Sequence, residues 1–166
     1  MMRVLGVDPG SRRTGFGILD DQRGRPVYVA CGVVVSMSGT VAERLHRIFA
    51  GLAEVIEHYK PDACAVERIF LARNADSALK LGQARGAVLV ALAGAGLPVH
   101  EYTALQVKKA TVGVGHAGKG QVQHMMRVLL GLSARPSTDA ADALACALCH
   151  LHESQGVAAR ARALPR

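Results

Sequence analysis

The order of its apolar segments constrains this chain most. Three short β-branched runs come first: Arg3 to Val7, Thr14 to Leu19, and Pro26 to Ser36. Turn-forming residues separate them, Asp8-Pro9-Gly10 after the first and Gly24-Arg25-Pro26 before the third, which predicts an antiparallel meander. From Thr40 to Tyr59 the pattern changes period. Val41, Leu45, Ile48, Leu52, Val55 and Ile56 keep helical spacing, and Pro61 follows the end. "DACAVE" is a fourth, buried strand ending at Glu67. A helix is expected from about Asp76 to Ala95, capped by Asp76 or Ser77, and "PVHEY" is a fifth strand. Thr103 opens a helical stretch through Ala110. "GVGHAGKG" (113–120) reads as a loop, and Val122, Met125, Met126 and Leu129 mark the next helix. The last helix starts near Ser137 or Thr138 and turns Ala140, Ala143, Leu144, Ala147, Leu148 and Leu151 inward.

This succession predicts a single α/β domain over 1–153, a central five-stranded mixed sheet flanked by helices. A basic, frayed tail is expected over 154–166. The 166 residues suit one domain. No segment approaches the roughly 20 apolar residues of a membrane helix, and the start lacks a secretory pattern. Buried, reduced thiols of a cytoplasmic protein are the expected reading of Cys31, Cys64, Cys146 and Cys149.

Charge narrows the partners. Twenty Lys and Arg face 13 Asp and Glu, a net +7, so the surface favours polyanions. Six aromatic residues are too few for rows of base-stacking platforms.

Four of the acids stand where ligands gather. Asp8 and Glu67 each close an apolar strand, so they meet if those strands are neighbours. Asp139 and Asp142 are three residues apart on the last helix and share a face. Four converging carboxylates repel one another unless they bind hard cations such as Mg2+. Two ions about 4 Å apart would clamp the attacking and leaving oxygens of a phosphodiester. Structural readings stand beside this one: Asp8 before Pro-Gly suits a turn, and Asp139 suits a helix start.

At this point the residues resemble a known family. "GVDPGSRRTGFG", "AVERIFLARNADSALKLGQARG", "QVKKATVGVGHAGKGQVQHM" and "DAADALA" look like the bacterial RuvC Holliday junction resolvases, in register from about Arg3 to His152. The resemblance implies an RNase H-like fold and a homodimer. It implies an endodeoxyribonuclease that nicks four-way junction DNA symmetrically, with water attacking, to leave a 5′-phosphate and a 3′-hydroxyl. Asp8, Glu67, Asp139 and Asp142 would be its catalytic, metal-binding acids, holding two Mg2+ that Mn2+ can replace. A junction-binding protein and a branch-migration ATPase would be partners. Lys108 and Lys119 match lysines that lie near the scissile phosphate, and Phe70 matches an aromatic wedge at the crossover. Arg73, Asn74, Lys80 and Arg85 are candidate DNA contacts, and Arg12 and Arg13 either approach a phosphate or serve a turn. The helix carrying "LGQARGAVLVALAGAG" is the candidate dimer face.

Two rival classes remain on the sequence. An actin-like phosphotransferase or ATPase would read "DPGSRRTGFG" as a phosphate loop, but needs a second domain for which the chain has no room. A non-catalytic junction-binding module would gain nothing from four clustered carboxylates. A related family of RNA-processing nucleases shares the first motif but not "NADSALKLGQARG".

Overall fold

The meander and the alternating half join into one five-stranded sheet. The computed structural model describes residues 1–68, 74–113 and 119–163; the side chains of 119 and 157–163 are outside that description. β1 (Met2–Asp8), β2 (Arg13–Gln22) and β3 (Arg25–Val35) are the three antiparallel strands. α1 (Val41–Tyr59) leads to β4 (Ala63–Arg68), and α2 (Ala75–Gly94) leads to β5 (Val99–Thr103). α3 (Ala104–Val112), α4 (Lys119–Leu129) and α5 (Thr138–Ala163) complete the chain. The sheet order is β3-β2-β1-β4-β5. β1 pairs β2 antiparallel and β4 parallel, and β4 pairs β5 parallel, so the sheet is mixed.

Local chemistry sets the helix ends. Thr40 and Glu43 form a reciprocal capping box on α1, and Lys60 closes it in the left-handed region before Pro61. Thr103 and Gln106 do the same for α3, with Gly113 at its end. On α2 the cap is Asn74, whose side chain accepts from the Ser77 N–H at 2.9 Å. That corrects the expected Asp76 or Ser77 cap by two to three residues, and it assigns the Asn74 oxygen to the fold.

Alternation along the strands builds two cores. Leu5, Val7, Ile18, Cys64 and Val66 face Ile48 and Leu52 of α1 and Val88 and Leu92 of α2. Val4, Leu19 and Ala65 face the opposite side, where Leu144, Leu148 and Leu151 of α5 pack with Val107, Val122 and Met126. All four cysteines are free, and three of them are buried in these cores.

α5 lies unusually close to the sheet. A Cβ on Gly6 would stand 1.9 Å from the Ala143 carbonyl oxygen, and one on Gly15 would stand 2.0 Å from that of Asp139. These two glycines leave a notch into which the first turns of α5 settle. Because Gly15 pairs with Asp8 across β1 and β2, the notch also sets the start of α5 beside Asp8. α5 continues beyond His152 to Ala163, through the Ala- and Arg-rich "AARARA", a composition that favours helix. No helix among the described residues is long and apolar enough to cross a membrane.

Candidate active site

The register brings the two strand-end acids together. Val7 pairs with Val66 across the parallel β1–β4 ladder, so Asp8 and Glu67 follow as neighbours at the C-terminal edge. Both project toward the α5 side, two residues on from Gly6 and Ala65. Asp142, on the second turn of α5, reaches the same point. Asp8, Glu67 and Asp142 line one cavity of about 280 Å3 with Lys108, Ala104 and Val107 of α3 and Val122 of α4. Larger concavities lie at the β2–β3 turn, beside β3 and along α1, away from these acids. Cavity size does not locate the chemistry here; the carboxylates do.

A buried thiol reports the crowding of negative charge. Cys146 sits one turn after Asp142 with no solvent exposure. Burial first, then the charges of Glu67, Asp8, Cys149 and Asp142, push its thiol well above the usual range. Three carboxylates, Glu67, Asp8 and Asp142, therefore act on one buried sulfur.

The fourth acid is placed differently from the expectation of one converging cluster. Asp139 does not line the cavity. Its Oδ2 accepts a 2.7 Å hydrogen bond from Arg13 Nε, joining the start of α5 to the start of β2. Arg13 is thus an ion-pair partner of a candidate catalytic acid, a role that residues 126 apart in sequence do not disclose. Among the described residues, no group of three His, Cys, Asp or Glu side chains stands placed to hold a metal ion. The donor set is nonetheless all carboxylate oxygen, which is what Mg2+ takes.

Lys108, which the resemblance places near the scissile phosphate, lines the cavity. The main chain of Lys119 opens α4, so the helix takes in the last two residues of the segment expected to be loop. Phe70 and Arg73 lie outside the described residues. Lys80 is exposed and pairs with Asp76 one turn earlier at 2.6 Å, a solvated contact of little energetic weight.

Arg85, which the sequence offers as a DNA contact or an ordinary surface charge, is held inside the fold. Its side chain is 18% exposed, and its terminal nitrogens donate to the Glu67 carbonyl oxygen at 2.7 Å and to Glu101 Oε1 at 2.5 Å. Both contacts lie within the fold.

The model of one protein family, crossover junction endodeoxyribonuclease RuvC, matches residues 4–150. The chain belongs to the RuvC family. A RuvC of Hahella chejuensis is 54% identical over 157 residues, spanning 95% of this chain and 91% of its own. One from Shewanella frigidimarina is 54% identical over 159 residues, spanning 96% and 92%. Among solved structures, T. thermophilus RuvC in complex with Holliday junction substrate superposes with a TM-score of 0.86 at 40% identity, covering 94% of this chain and 97% of that one. The yeast mitochondrial Holliday junction resolvase shares the fold at 12% identity and a TM-score of 0.65. The RuvC-family chain thus has the RNase H-like fold expected from its motifs, and it is an endodeoxyribonuclease of the phosphodiester-hydrolysing, metal-dependent kind.

Proposed function

We propose that this RuvC-family protein resolves four-way DNA junctions by paired, symmetric nicks, with Asp8, Glu67, Asp139 and Asp142 serving hydrolysis. The observation that carries the reading is the single cavity at the strand ends, where three carboxylates meet one lysine. A pure binder of a polyanion would gain nothing from that arrangement, since clustered carboxylates repel phosphate.

Asp8, Glu67 and Asp142 would hold Mg2+ through carboxylate oxygens, with Asp139 completing the set on leaving Arg13. When bound, two such ions supply charge neutralisation for an in-line displacement and make water a better nucleophile. Lys108 reaches the cavity from α3, where its ammonium would steady a phosphate oxygen as charge develops. Lys119 is proposed for the same phosphate on the strength of the resemblance. Mn2+, another hard cation, would substitute. The test is the chemistry of the ends: nicked product sealed by DNA ligase without further treatment supports water attack with a 3′-hydroxyl leaving, and refusal to ligate contradicts it.

Two nicks need two sites, and a C2 dimer supplies them. The outward face of α2 supports this. Leu79 and Val90 are 62% and 61% exposed, and nothing lies within 4 Å of a Cβ built on Gly82 or Gly86 between them. Val90→Arg is expected to convert the dimer to monomer in sedimentation, with paired nicking replaced by slow single nicks. A dimer mass retained by this variant would remove α2 as the interface.

Phe70 is proposed to wedge between bases at the crossover. Phe70→Ala should slow junction cleavage about tenfold, with affinity lowered only a few-fold. Unchanged cleavage would return the ring to a packing role. Action in the cytoplasm, alongside a junction-binding protein and a branch-migration ATPase, belongs to the same reading. Co-elution of the junction-loaded complex with those two proteins is its check, and separate elution would contradict it.

A further inference from the structure

The two faces of β4 do different work at its C-terminal end. Glu67 turns its side chain to the cavity, while Arg68 and the paired Glu101 of β5 face α2. From that far side Arg85 reaches through to the Glu67 main chain. Nη1 donates to the Glu67 carbonyl oxygen at 2.7 Å, and Nη2 donates to Glu101 Oε1 at 2.5 Å. The other Glu101 oxygen accepts from Arg68 Nε at 3.2 Å. One carboxylate is thus shared by two guanidiniums, one from the helix and one from the strand, and the helix guanidinium also grips the residue whose carboxylate lines the cavity. Among the described residues, one paired residue of β4 follows Glu67, in the Arg68–Thr103 pair. Glu67 therefore stands near the C-terminal end of the described β4–β5 ladder.

We infer that Arg85 is the positioning residue for Glu67: it fixes the Glu67 main chain from the back of the sheet, with Glu101 orienting its guanidinium, so that the carboxylate stands in the cavity before DNA or metal arrives. The inference rests on Glu67 acting in that cavity as proposed above. A guanidinium is needed because its planar fork serves two acceptors at once, and the charge-assisted bond to Glu101 locks the fork in one orientation. An ammonium has three donors but no rigid fork spanning these two acceptors, and would restore part of the effect.

The experiment follows Arg85→Gln, Arg85→Lys, Glu101→Gln and Glu67→Gln beside the unaltered protein. For each, single-turnover cleavage of a labelled four-way junction, junction affinity without cleavage, the Mg2+ concentration for half-maximal rate and the melting temperature are measured. Arg85→Gln is expected to cleave about 10- to 100-fold more slowly, the scale of a catalytic group displaced by about an ångström. Its junction affinity should stay within about twofold, and its Mg2+ requirement should rise. Arg85→Lys should recover part of the rate, and Glu101→Gln should lose less than Arg85→Gln. The Arg85→Gln, Glu101→Gln double variant should be no slower than Arg85→Gln alone, because the two act as one unit. Loss of affinity in step with rate would make Arg85 a DNA contact and overturn the inference. So would a rate at the level of the unaltered protein, or a loss matched by the fraction unfolded with Mg2+ dependence unmoved. If Arg85→Gln does not fold, Arg85→Lys decides, since it keeps the charge and loses only the fork: a full rate overturns the inference. Glu67→Gln separates the two claims. Unimpaired cleavage by that variant refutes the role given to Glu67, whereas its inactivity beside an active Arg85→Gln refutes the role of Arg85 alone.

Discussion

Asp8→Asn is expected to abolish cleavage while leaving junction binding intact. The amide keeps the shape of the side chain at the end of β1 but removes one negative charge from a cavity shared with Glu67 and Asp142. Fewer anionic oxygens weaken the hold on a divalent ion, and the transition state loses the charge neutralisation that ion brings. The single-turnover rate should fall about a thousandfold or more, on the order of 4 kcal/mol of barrier. Affinity for the junction in Ca2+ should be unchanged or slightly tighter, because one repulsion with the phosphate backbone is gone. A rate within about tenfold of the unaltered protein would remove Asp8 from the chemistry.

Gly6→Ala should have the largest effect on stability of any single methyl group added to the sheet. The new Cβ would stand 1.9 Å from the Ala143 carbonyl oxygen and 2.7 Å from the Ala147 nitrogen. Both are backbone atoms of α5, so no side chain can swing aside and the helix must lift. Overpacking of this kind costs about 3 kcal/mol, which for a chain of this length lowers the melting temperature on the order of 10 °C. Cleavage should fall further than the unfolded fraction explains, since Asp142 precedes Ala143 and moves off Asp8 with the helix. Gly156→Ala is the control: nothing lies within 4 Å of its Cβ, so melting should be unchanged or raised. Equal melting of the Gly6 and Gly156 variants would contradict the notch.

The same residues show how much of this was legible in the chain. Period and punctuation sufficed for the elements, because Thr40 with Pro61, the β-branched runs and the Ala-rich last helix are local signals. Glu67 and Asp142 stand out in the chain because an acid closing an apolar strand, or set on an apolar helix, has few structural reasons to be there. Asp8, by contrast, also suits a turn, and Lys108 is singled out by the family resemblance. Sheet order was not legible, so the meeting of Asp8 with Glu67 stayed conditional until β1 and β4 were seen to pair. Gly6 and Gly15 read as ordinary strand residues; their meaning lies in the helix that arrives more than a hundred residues later. Arg13 reads equally as a phosphate contact or a turn residue, and Arg85 as a DNA contact or a surface charge, because charge in a sequence carries no direction. Their partners, Asp139 in one case and Glu67 with Glu101 in the other, are set by the fold alone.

The account is tested most directly by offering the protein a labelled four-way junction and a linear duplex of the same sequences, with and without Mg2+. Two symmetric nicks across the junction, made only with Mg2+ and leaving the duplex intact, are the predicted result. Equal cutting of the duplex, cleavage of RNA, or ATP turnover without nicking would contradict it.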